Sequence, residues 1–169
     1  MALPFESLFT AAIEVGIAIA GFSGIVVVLG REPIGQWSEI EKSRMGILVR
    51  SSFATVVLGF MPLFTNETFA SPTTSWAICS SLCSAYFFLA FAIRMPSVRK
   101  LRKAPDSDIG DPYFYGVVIS VICVALLQIV NAGWMRTGWP YALGVLWMLI
   151  FAFTQFMRLM RVVWSQRST

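Results

Sequence analysis

Five separate blocks of apolar residues constrain this chain more than anything else in it. Each is about 20 residues long, the length a helix needs to cross a hydrocarbon core roughly 30 Å thick. The blocks fall at 8–30, 45–65, 74–93, 113–133 and 140–160. Inside lipid a backbone must satisfy its own hydrogen bonds, so each block reads as a helix. Composition agrees: 57% of the 169 residues are hydrophobic and only 13% are charged, with mean hydropathy +0.72. A soluble domain carries about twice that charged fraction. The longest connection, 94–112, is too short to hold a soluble module. The expectation is an all-α integral membrane protein, one five-helix transmembrane domain spanning 1–169.

Boundary chemistry supports the five blocks. Asp111-Pro112 places an N-cap and a first-turn proline at the start of the fourth, and Ser71-Pro72 does the same before the third. Trp139-Pro140 opens the fifth. Ser38-x-x-Glu41 has the spacing of a capping box, which would start the second helix in the polar loop before it enters the membrane. Pro62 should end or kink the far end of that helix. Trp37, Trp76, Trp134, Trp139 and Trp164 all fall near interfaces, where amphipathic rings prefer to sit.

Charge sets the orientation. No basic residue precedes Arg31 and Glu6 is acidic, so the first block lacks the basic leader of a signal peptide and is expected to be retained. With the N-terminus outside, 12 of the 13 Lys and Arg residues face inward, leaving only Arg136 outside. Positive charge concentrates on the cytoplasmic side of membrane proteins. The N-terminus is therefore expected outside, the C-terminus in the cytoplasm, and the chain in a plasma membrane, the inner one if bacterial.

The same composition removes several classes of chemistry. There is no histidine, hence no His-based haem, metal or catalytic site. Cys79 and Cys83 lie one helical turn apart and Cys123 stands alone, so all three read as small packing residues. No Walker loop, dinucleotide fingerprint or pair of intramembrane carboxylates is present. No enzyme activity, cofactor or metal is expected. The run Arg99, Lys100, Arg102, Lys103 lacks interleaved aromatics and a binding domain, so it fits lipid headgroups rather than nucleic acid.

Candidate functional residues concentrate in the first span. Ala12, Gly16, Ala20 and Gly24 recur every fourth position, and Gly21 adds to the small surface. Such a face lets another helix approach closely, or lines a narrow path where backbone meets water or an ion. Glu14 is the only acidic residue within any span, and ionisable groups at membrane depth face protein or water. Depth arithmetic puts Gln128 and Asn131 at a level similar to Glu14, a candidate ion pathway near the outer side. At the inner face Arg50, Gln155, Arg158 and Arg161 suit a lipid phosphate or a cationic mouth. Ser80, Ser81 and Ser84 in the third span read as packing hydroxyls. The contrast with the long apolar stretches VVISVICVALL and LWMLIFAF of the fourth and fifth spans suggests that one and three are buried while four and five are peripheral.

Two functions fit these features. One is a homo-oligomeric channel or carrier for a small ion, with the first helix near the pathway and Ile13, Val15 and Ile17 as hydrophobic constrictions. The other is an accessory or assembly subunit of a larger membrane complex. Expected partners are the bilayer, anionic headgroups at its inner face, and further copies or other membrane subunits.

Overall fold

The computed structural model describes residues 5–29, 37–69, 71–103 and 110–165, with side chains at 5–25, 37–69, 71–103 and 110–160. Arg31, Asp106, Asp108 and Arg167 lie outside the described residues, and Arg161 and Trp164 outside the described side chains. Five helices follow in chain order: α1 (Glu6–Leu29), α2 (Glu39–Thr68), α3 (Pro72–Arg102), α4 (Asp111–Val130) and α5 (Gly138–Ser165), with a π-helical turn, Asn131–Met135, between the last two. All five are long and apolar enough to cross a membrane. The chain is an all-helical protein whose composition is that of a small multi-pass membrane protein.

Helix ends reflect hydrogen bonding rather than hydropathy, and this corrects several boundaries. The Ser38–Glu41 capping box forms: the Ser38 N–H and hydroxyl both donate to Glu41 Oε2 at 2.8 Å, while the Glu41 N–H donates to Ser38 Oγ at 3.2 Å. Pro62 does not end α2, which runs through it to Thr68. The fourth helix begins one residue earlier than its sequence suggests, with Gly110 at the N-cap and Asp111 inside the first turn. Most different is α3. It continues through Pro96 to Arg102, so nine residues assigned to a connection are helical. Its 31 residues rise about 46 Å, well beyond a hydrocarbon core of roughly 30 Å.

Two compact units emerge: Met1–Glu6 with Met61–Gly144, and Ser7–Phe60 with Val145–Thr169. In the second unit, α1 and α2 meet through small residues. A Cβ on Gly16 would lie 3.2 Å from the Ser52 carbonyl oxygen, and one on Gly59 would lie 2.7 Å from Ile13 Cγ1. Each glycine thus receives the other helix, one from either side. The buried face of α1 is Phe9, Ala12, Ile13, Gly16, Ile19 and Ser23.

That face explains why the four-residue stripe divides. Four helical residues advance 40° past a full turn, so a stripe of every fourth position drifts around the helix. Ala12 and Gly16 are buried and Ala20 is half-buried, whereas Gly24 is exposed, as is Gly21, and neither has a heavy atom within 4 Å of where a Cβ would stand. Ile13 fills the space above Gly59 and is only 6% exposed, so it is a packing residue and not a constriction.

The expectation that five is peripheral fails. While α4 is the least buried helix, α5 buries Tyr141, Val145, Met148, Ala152, Gln155 and Leu159, spaced alternately by four and three. Lipid tails are as apolar as leucine, so hydropathy alone does not separate a lipid-facing side from a protein-facing one.

These packing differences generate a paired test. Gly16→Leu should destabilise the protein by about 1–3 kcal/mol through overpacking. Gly24→Leu should leave stability within about 0.5 kcal/mol. Thermal unfolding of both variants in mild detergent distinguishes them, and equal effects would contradict the assigned α1–α2 contact.

Candidate functional site

In the first unit, α3 presents a face of Ser75, Cys79, Ser80, Cys83 and Ser84, all buried. Side chains this small allow the neighbouring backbone to come within reach. The Ser84 hydroxyl donates to the Ala125 carbonyl on α4 at 3.2 Å. The Ser75 hydroxyl reaches the Thr65 carbonyl on α2 at 3.0 Å, and the Thr65 hydroxyl and Cys79 thiol share a hydrogen bond of 3.3 Å. Ser81 lies off this face, exposed, and bonds back to the Ala77 carbonyl of its own helix. Trp76, on the same helix, is buried too, its ring 6.1 Å from that of the buried Tyr141.

Asn131 closes the cluster. Its side chain is fully buried, and all its hydrogen-bonding capacity is used. Nδ2 donates to Ser80 Oγ at 2.7 Å and to the Thr137 carbonyl at 2.9 Å. Oδ1 accepts from the Thr137 N–H at 3.0 Å and its hydroxyl at 3.4 Å. The backbone takes part as well, because the Arg136 N–H donates to the Asn131 carbonyl at 2.8 Å, closing the wide π turn. Arg136 follows in the left-handed region at φ 49°. One asparagine therefore shapes the connection from α4 to α5 and ties it to α3.

Gln128, one turn earlier, is also fully buried, but only half satisfied. Nε2 donates to the Pro140 carbonyl at 2.7 Å, while Oε1 has no hydrogen-bond partner among the described residues. A Cβ on Gly144 would stand 2.8 Å from that Nε2 and 3.2 Å from Cys83 Sγ, so the amide occupies space that only glycine leaves. Gln128 and Asn131 are brought together here, with their donors spent on the fold.

Glu14 belongs to the other unit. It sits eight residues into α1, about 12 Å along the helix, on the exposed side. Among the described residues no hydrogen bond or ion pair reaches its carboxylate. The residues around it form a pattern that fourfold spacing concealed. Ser7, Ala11, Glu14, Ala18, Gly21 and Ile25 alternate by four and three, and every one is exposed. This is a heptad seam with the carboxylate at its middle, small at Ser7, Ala11, Ala18 and Gly21 and ending on the larger Ile25.

In the second unit, the three phosphate-site candidates with described side chains differ in their surroundings. Arg50 is exposed and folds back along α2, its guanidinium 2.5 Å from where a Gly46 Cβ would stand. Gln155 is buried and Arg158 half-buried, and both are engaged in interactions. Arg44 escaped the sequence reading, which counted it only as a topogenic charge: it is 6% exposed and engaged. No signal other than its position at the mouth of an apolar block marked it. No group of three or more His, Cys, Asp or Glu suited to a metal occurs among the described residues.

No protein-family model matches the chain, nor does any curated protein or solved structure.

The two amides should respond differently to replacement. Asn131→Leu strands the polar groups of Thr137 and Ser80 and should cost about 2–4 kcal/mol. Gln128→Met removes the unpaired Oε1 together with one donor and should cost about 1 kcal/mol or less. Thermal unfolding in detergent ranks them, and a reversed order would overturn the structural role of Asn131.

Proposed function

We propose that the chain works without enzymatic chemistry, as a homo-oligomeric channel or carrier for a small cation, with α1 beside the pathway. One observation carries this reading: Glu14 is exposed and has no hydrogen-bond or ion-pair partner among the described residues, in a seam with small Ser7, Ala11, Ala18 and Gly21 and the larger Ile25. A carboxylate at membrane depth is costly facing lipid and needs water, a cation or a donor.

Copies of one chain share one orientation in the membrane, so α1 helices gathered around a closed axis run parallel. Each Glu14 then arrives at the same level, and a ring of carboxylates favours cations. Small residues at Ser7, Ala11, Ala18 and Gly21 let the helices approach. Gln128 and Asn131 serve the fold of the subunit in this reading and leave the pathway to α1. The setting is a plasma membrane, with Glu14 toward the outer side under the orientation expected from the charges.

The competing reading is an accessory subunit whose α1 seam meets a helix of another protein. Native mass of the protein extracted from its own membrane separates the two. A discrete homo-oligomer of three or more copies is expected, with Gly21→Leu disrupting it while the subunit stays folded. Glu14→Gln should lower cation flux into vesicles at least tenfold without changing the assembly. Unaltered flux in that variant removes Glu14 from the pathway, and stoichiometric unlike chains would establish the accessory role.

A further inference from the structure

The inner end of α3 extends beyond the bilayer core as a basic helix. Arg94 stands 22 residues into α3, about 33 Å from its start, so the following turns lie at headgroup level. This overhang carries Arg99, Lys100, Arg102 and Lys103, and the four do not share one environment.

Arg102 faces α4. Its Nη2 donates to Asp111 Oδ1 at 2.6 Å, and its guanidinium carbon lies 4.7 Å from the centre of the Phe114 ring and 5.2 Å from that of Tyr115. Hydrogen bonding to Tyr115, with Asp111 adding to it, raises the Arg102 pKa from its ordinary value. The planar guanidinium thus staples the end of α3 to the first turn of α4. Arg99, Lys100 and Lys103 point elsewhere. They lie within about 100° of helix surface, all exposed, and no ion pair reaches them among the described residues. In the other unit, Lys42 is paired with Glu39 at 3.1 Å and Arg44 is engaged.

We propose that Arg99, Lys100 and Lys103 form a docking surface for the phosphate of an anionic phospholipid, held in place by the Arg102–Asp111–Phe114–Tyr115 staple. Charge complementarity selects the occupant: three cations on one face, with no ion pair among the described residues, at the depth where headgroup phosphates lie. Arg102 is a positioning residue, since its guanidinium is already occupied. The proposal does not depend on whether the chain conducts ions.

Lipid-adduct mass spectrometry of the purified full chain in mild detergent tests it, with phosphatidylglycerol and phosphatidylcholine titrated in parallel. The wild type should retain phosphatidylglycerol at least tenfold more tightly. Each basic residue near the surface adds roughly fivefold, so Arg99→Gln/Lys100→Gln/Lys103→Gln together should lose about 100-fold, down to the phosphatidylcholine level. Asp111→Ala is the sharper variant. It raises the net positive charge by one, so a diffuse charge effect would tighten phosphatidylglycerol binding, whereas loss of the staple should weaken it several-fold. Arg102→Lys keeps the charge, loses the planar fork, and should weaken binding in the same direction. Equal retention of the two lipids, or an unaffected triple variant, would overturn the docking surface. Tighter binding by Asp111→Ala would overturn the staple, and displacement by millimolar inorganic phosphate would replace the lipid with a soluble anion.

Discussion

The hydrogen bonds of one asparagine set much of the first unit. From a fully buried position Asn131 holds the buried Ser80 on α3 and both backbone polar groups of Thr137. In that setting an unpaired amide or hydroxyl is expensive, so a saturated side chain fixes geometry more firmly than its net energy suggests. The π turn, the left-handed Arg136 and the start of α5 all follow from where that side chain must sit. Gln128 shows the opposite condition, with one amide end held by Pro140 and the other unpaired in a fully buried site.

Small residues do the complementary work. On α3 the Ser and Cys side chains bring the backbone of α4 within reach of Ser84, and in the other unit Gly16 and Gly59 admit each other's helices. Both contacts rely on what the side chains leave out, which suits a medium where apolar bulk brings no preference for protein over lipid. The exposed small residues of α1 differ in kind: Gly21 has open space beside it, and Glu14 has no partner among the described residues. A surface of that sort on an otherwise apolar helix is the feature on which the proposed function rests.

The sequence made the number and approximate position of the helices legible, because five long apolar runs have no alternative solution in lipid. It was less informative at the helix ends. Hydropathy stops where water begins, whereas backbone hydrogen bonding carries α3 on through Pro96 to Arg102. Ser38 and Glu41 were readable because a capping box depends on local spacing alone. Which way a residue faces was the hardest to read. Asn131 and Gln128 looked like pathway residues from depth alone, and only their partners reveal their structural use. The four-residue periodicity of α1 drew attention to Gly16 but masked the heptad through Glu14, because two interleaved patterns share glycines and alanines.

The contact between α1 and α2 also bears on how the protein comes to be built. Every residue that shapes it, from Phe9 to Gly59, precedes α3 in the chain, and the capping box that starts α2 needs no other element. A polypeptide emerging N-terminus first therefore holds a complete set of contacts for a helical hairpin before α3 has left the ribosome. The first unit has no such advantage. Asn131 follows Ser80 by 51 residues, so Ser80 waits for its partner until α4 has been made.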